Sequence, residues 1–421
     1  MPKCETPYEV KALPHRPPLL SLCTINFLTA LFIIAVGLAY PVKAQPAQFP
    51  AAFSEFVHSD GTVGASYLVL DQGRTASAGA WGMADLSLKQ PVDRNTIFHW
   101  GSITKTLTAV AIMQLRDRGK VSLDDPILKY VPELIRVHSQ DNAISRVTLR
   151  HLLSHTAGFQ TPTWPYTQGK PWQPFEPTEW SQLVAMMPYQ ELAFTPGSKF
   201  QYSNPGFIYL AKVIEAVTGD PYQVYIQKNI LTPLGMTQTF FNISPYHLAA
   251  ERSNSYEIIV DEQGHATVHS FGREFDTGIT TPNGGLNAPL EDLAKWINFL
   301  VGTSPVSAPN LVLSRKSLEE MWQPVTAIAD DETYAPPALM GLSFFLFPRG
   351  SGNNSITIVG HTGHQAGFAA FFVLNPRNSR AVIAAFNTVH SWGESPAASN
   401  GYRESYRRFS SLMEQAIDTV R

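Results

Sequence analysis

The sequence predicts an α+β fold: one antiparallel sheet formed from both chain ends and flanked by helices, with a mostly helical region inserted from about residue 101 to 290. Three observations carry this. Strand-like apolar runs sit near both ends and read as hairpins. Segments with helical spacing fill the middle. The last stretch, 398–420, places Leu412, Ile417 and Val420 at helical spacing, suited to covering one face of a sheet.

In chain order, residues 62–70 (TVGASYLVL) are rich in β-formers, and Asp71-Gln72-Gly73-Arg74 is a turn signal. ASAGAWGMAD follows as a second strand, which completes a hairpin. Residues 102–118 read as a helix with Leu107, Val110, Ala111 and Leu115 on one side and Gly119 at its end. Further helices are expected at 148–155, 178–187, 206–218 and 290–302, with Gly219 and Gly235 as stops. Residues 340–347 (MGLSFFLF) read as one strand. Residues 368–374 and 381–387 read as a hairpin around the loop Asn375–Arg380.

The first 44 residues stand apart. Lys3, Lys11 and Arg16 precede an apolar run from Leu19 to Tyr40, and Val42-Lys43-Ala44 resembles a cleavage site. That pattern describes a signal peptide and an exported protein, periplasmic or extracellular. The rival reading is an uncleaved membrane tether through residues 19–40, since about 20 apolar residues span a bilayer. Residues 45–421 then form one domain. The chain of 421 residues carries a charge of −3. Cleavage after Ala44 leaves 377 residues with a charge of −5, and removes both cysteines, Cys4 and Cys23. Thiol chemistry, a disulfide framework and a cysteine-based zinc site are thereby excluded from the mature chain. The near-neutral balance leaves no basic footprint for nucleic acid.

Three short motifs carry chemistry. Ser102-Ile103-Thr104-Lys105 opens the first long helix and puts a serine and a lysine on one helix face. Free N–H groups at the helix start favour a developing oxyanion there. A serine needs a base, and a lysine serves once burial lowers its pKa. The bland alternative is a capping serine beside a solvated lysine. Tyr202-Ser203-Asn204 adds a phenol that can relay a proton and an amide that can hold a substrate amide. His361-Thr362-Gly363 follows the strand-like Ile356–Val359, and its glycine permits close approach to a strand edge.

In order and rough spacing, these motifs resemble those of the serine β-lactamase and penicillin-binding-protein superfamily. The chain looks most like the branch of class C β-lactamases, D-alanyl-D-alanine carboxypeptidases and related esterases. LRHLLSHTAGF at 149–159, Pro196-Gly197 and GGL at 284–286 also resemble the family, and the likeness spans roughly residues 50–415. The resemblance implies a β-lactamase/transpeptidase-like fold and an acyl-enzyme mechanism without cofactor or metal. It makes Ser102 the nucleophile and joins Lys105 and Tyr202 in a proton-transfer unit, with the base left open between them. Asn204, His361, Thr362 and Gly363 would bind substrate, Gly363 keeping room for the acyl group. Backbone N–H groups of Ser102 and His364 would form the oxyanion hole. The partner is a small molecule or peptide, including cell-wall peptide.

Two departures bear on substrate. His361 stands where β-lactamases usually carry lysine, which favours peptidase or esterase activity over efficient β-lactam hydrolysis. His364 is bulky for its place and would narrow the pocket. Trp164, Tyr166 and Trp172, in the Pro- and aromatic-rich stretch 160–177, would either wall an acyl site or pack on themselves. His151 and His155 lack the glutamate of a zinc peptidase, Leu152 standing in its place. A penicillin sensor that acylates without turnover is the remaining alternative.

Overall fold

The computed structural model describes residues 48–160, 177–304, 312–328, 338–352, 355–391 and 396–421. The apolar segment 19–40 and the aromatic residues Trp164, Tyr166 and Trp172 lie outside the described residues.

Fifteen strands are described: β1 (Gly64–Asp71), β2 (Arg74–Asp85), β3 (Gln90–Pro91), β4 (Ile97–His99), β5 (Phe240–Phe241), β6 (Ser255–Val260), β7 (Ala266–Gly272), β8 (Leu286–Pro289), β9 (Thr326–Ala327), β10 (Leu339–Met340), β11 (Phe345–Arg349), β12 (Ile356–Gln365), β13 (Phe368–Asn375), β14 (Arg380–Phe386) and β15 (Thr388–His390). Nine of them form one sheet in the order β3-β2-β1-β14-β13-β12-β11-β10-β9. Both chain ends meet at its centre, where β1 runs antiparallel to β14 from Ala65↔Phe386 to Asp71↔Arg380.

The sheet is buried on both faces. Period-two alternation sends Tyr67 and Val69 of β1 into one core and Leu68 and Leu70 into the other. The first core is closed by helix α1 (Gln48–Ser59) and the C-terminal helix Pro396–Val420. Phe371 of β13 meets Phe49 at 6.4 Å and Phe409 at 5.6 Å there. The second core joins the sheet to the helical region. Its helices include α2 (Thr104–Asp117), α3 (Leu149–Leu153), α4 (Trp180–Met186), α5 (Pro205–Thr218) and the helix Leu290–Val301. Gly219 and Gly235 end helices in the left-handed region, at φ of 76° and 67°, where a side chain would be strained.

One expectation changes. The run 340–347 is two strands, β10 and β11, separated by a turn with Ser343 at φ 67°. The mostly helical central region also contributes β5 and β8, which form a small sheet with β4, and β6 and β7, which form another with β15. Helix α1 lies outside the elements expected from the sequence.

One register detail positions the site. β11 pairs with β12 only as far as Phe345↔Gly360. From His361 onward β12 is bonded to β13 alone, and its other edge is turned to the residues before α2.

Candidate active site

Ser102 sits in the turn between β4 and α2. Trp100 N donates to Leu286 O at 2.8 Å, and Trp100 Nε1 donates to Ala288 O at 2.8 Å, anchoring the turn to β8. Thr104 Oγ1 donates to Gly101 O at 2.7 Å and accepts from Leu286 N at 3.0 Å. Gly101 adopts φ 47°, a conformation costly for other residues.

Lys105 follows one turn later and is fully buried. Its Nζ lies 2.9 Å from Ser102 Oγ, 2.8 Å from Asn204 Oδ1 and 2.8 Å from Asn283 O. None of these three partners is a carboxylate. Burial therefore pulls the amine well below its ordinary pKa, because desolvation penalises the ammonium form. A neutral amine has two N–H donors and one lone pair. Asn204 Oδ1 and Asn283 O take the donors, which leaves the lone pair for the Ser102 hydroxyl.

Tyr202 hydrogen-bonds Ser102 and is held as a neutral phenol, because burial raises its pKa. The residue as a whole is half-buried. The Lys105 amine lies 4.9 Å from the centre of that ring. Asn204 precedes α5, and its backbone carbonyl accepts from Asn283 Nδ2 at 3.1 Å.

His361 is buried and neutral. Burial and the nearby Lys105 push its pKa down to about 3, and its Nδ1 lies 2.6 Å from Thr362 O. A ring so enclosed offers no cation to a substrate carboxylate. Thr362 is half-buried. Gly363 is required by backbone, not by an acyl group: a Cβ there would stand 2.0 Å from Trp100 O and 3.2 Å from Ser102 N. A Cβ on Gly101 would likewise meet His364 N at 3.0 Å. The main-chain nitrogens of Ser102 and His364 thus flank one tight strand-on-turn contact. His364 is exposed, and its ring lies 4.9 Å from Phe409 and 6.4 Å from Tyr406 of the C-terminal helix.

The structure therefore brings Ser102, Lys105, Tyr202, Asn204 and the third motif together. A family model described as Beta-lactamase matches residues 49–403. The chain belongs to the beta-lactamase family. Protein flp of Staphylococcus aureus (strain COL) is 26% identical over 324 residues, 77% of this chain, and the chain spans 59% of that relative's length. The octameric penicillin-binding protein homologue from Pyrococcus abyssi superposes with a TM-score of 0.66 at 25% identity, over 87% of this chain and 77% of its own. The D-stereospecific amidohydrolase from a Streptomyces species does so with a TM-score of 0.62 at 25% identity, over 85% and 98%. The fold is thus the β-lactamase/transpeptidase-like fold.

Within that site, sequence reasoning missed Asn283 and the place of His155. Asn283 supplies a main-chain carbonyl, which no residue identity announces. His155 supports the second motif from behind. It sits at φ 57°, accepts from Ser203 N at 3.0 Å through Nδ1, and stacks on the Tyr202 ring at 4.3 Å and 22°. His151 instead caps α3 with Thr148. The two histidines serve different neighbours despite their i, i+4 spacing.

Proposed function

We propose that the protein is an exported serine hydrolase that forms an acyl-enzyme on Ser102 and favours esters and amides with no free carboxylate beside the scissile bond. The observation that carries this reading is the buried amine of Lys105, with its two donors occupied and its lone pair left for Ser102 Oγ.

In the first half-reaction Ser102 Oγ attacks the carbonyl carbon and its proton passes to Lys105 Nζ. The carbonyl oxygen becomes an oxyanion held by the N–H groups of Ser102 and His364. The bond to the leaving group breaks, and the leaving nitrogen or oxygen takes a proton from Tyr202, which recovers one from Lys105. Water then attacks the acyl-enzyme by the same route, releases the acid and restores Ser102. Lys105, not Tyr202, is the base, because burial favours the neutral form of both side chains and only the amine then has basic strength. Asn204 holds Lys105 through Oδ1 and keeps its amide N–H₂ for the substrate carbonyl.

The neutral His361 supports the preference for uncharged substrates, and the amidohydrolase among the structural relatives fits an amide or ester substrate. The test compares a short-chain p-nitrophenyl ester, a D-Ala-D-Ala peptide and benzylpenicillin. Many turnovers of the ester are expected, with the two carboxylates at least about tenfold slower in kcat/KM. Stoichiometric acylation without release would replace this reading with a penicillin sensor. Penicillin turned over faster than the ester would overturn the preference.

A further inference from the structure

Beyond the residues around Ser102, a buried polar link joins the turn before α2 to the end of β12. His99, three residues before Ser102, is 1% exposed. Its Nδ1 lies 2.9 Å from Asn287 Oδ1, and its Nε2 lies 3.2 Å from the side-chain amide of Gln365. Gln365 is two residues past Gly363. Asn287 Nδ2 donates to the carbonyls of Asn242 and Gly285, which turns Oδ1 toward His99 and fixes the proton on Nδ1. Burial and the nearby Arg252 keep the ring neutral, with a pKa of about 4. Nε2 is then an acceptor, and Gln365 must present its N–H₂, the two ends of an amide being interchangeable by a flip. The end of Gln365 also packs closely on Gly284, where a Cβ would stand 2.3 Å from the amide oxygen position.

Ser102 and His364 lie on the two elements that this link ties. We propose that His99 and Gln365 are positioning residues that hold the N–H groups of Ser102 and His364 at one fixed separation, and so set the strength of the oxyanion hole. The inference rests on the serine-hydrolase reading above. It accounts for a buried histidine and a half-buried glutamine that touch none of Ser102, Lys105 or Tyr202.

The test uses the purified enzyme and two apolar variants, Gln365→Met and Gln365→Leu, neither of which can hydrogen-bond His99. The ester kcat should fall about tenfold, less than the loss of a whole oxyanion donor. The inhibition constant of phenylboronic acid, which forms a tetrahedral adduct, should rise in step, while KM stays within about twofold. Unchanged kcat and unchanged boronate affinity in both variants would overturn the clamp. So would equal losses in kcat and in KM-level binding accompanied by a lowered melting temperature, which mark a merely structural role. If the methionine variant does not fold, the leucine variant decides. Complete labelling of the wild type by a fluorophosphonate at Ser102 separates the two levels. A labelled enzyme with unmoved variants refutes the clamp alone, and an unlabelled wild type refutes the hydrolase reading together with it.

Discussion

A lysine whose amine meets two neutral oxygens and a serine hydroxyl, all within 2.9 Å, keeps its charge only at high cost. The native Lys105 therefore releases its proton at lower pH than the unfolded chain does. Two consequences follow with defined sign. Between the depressed pKa and the ordinary lysine value the unfolded state binds more protons, so Lys105 makes stability rise with pH across that window. In the proposed mechanism activity should also rise with pH through the depressed pKa, because only a free amine can accept the Ser102 proton. Lys105→Ala should lower kcat roughly 10³-fold, as loss of a general base does. His361, with its pKa near 3, stays neutral across the working range. His361→Gln should leave the ascending limb of the kcat/KM profile where it was; a displaced limb would show that His361 carries a proton in the reaction. Ser102 and Lys105 are legible as neighbours on one helix turn, whereas Asn204, which meets Lys105 across 99 positions, is legible only through the order of the motifs. His155 acts on Ser203 across 48 positions, and His99 meets Asn287 across 188 and Gln365 across 266. No periodicity announces pairs so far apart.

At the scale of the element, the unpaired half of β12 is what the site is built on. Its backbone passes so near Trp100 that only glycine fits at 363. Gly363→Ala should push β12 away from the nucleophile turn. A loss of at least about 10² in kcat is expected from the misplaced oxyanion donor, with a lowered melting temperature. Wild-type kcat in that variant would show that the contact is slack. The two end hairpins were legible because turn residues separate apolar runs, as at Gln72-Gly73. The run 340–347 misled for a physical reason. Met340, Leu342, Phe344 and Phe345 are all buried, so apolar character continues straight through the turn. Gly341 and Ser343 mark the break, Ser343 in the left-handed region and with its N–H donated to Leu153 O at 2.8 Å.

Taken as a molecule, the protein is a sheet held between two sets of helices, and the ends of the chain form one of those sets. Phe371 stands at the centre of that layer with no exposure. Phe371→Ala should cost about 3–5 kcal/mol in urea unfolding, as for other large-to-small changes in aromatic cores. A cost below about 1 kcal/mol would mean that the terminal helices add little to the fold. The ends are also tied by charge: Asp60, at the end of α1, accepts from Arg408 Nη2 at 3.0 Å and from Ser405 Oγ at 3.1 Å. That the sheet draws on both termini was legible from strand patterns alone, whereas the two small sheets were not. Their strands are two to seven residues long, and β7 is mostly exposed or half-buried, so little hydrophobic alternation is available to read. Everything proposed for this molecule depends on a covalent intermediate at one side chain. The most direct test is intact-mass measurement of the wild type and Ser102→Ala during turnover of a slowly hydrolysed ester. The wild type should gain the mass of one acyl group, mapped to Ser102, and Ser102→Ala should gain none. An acyl adduct that persists in Ser102→Ala, or ester turnover that survives the substitution, would contradict the mechanism outright.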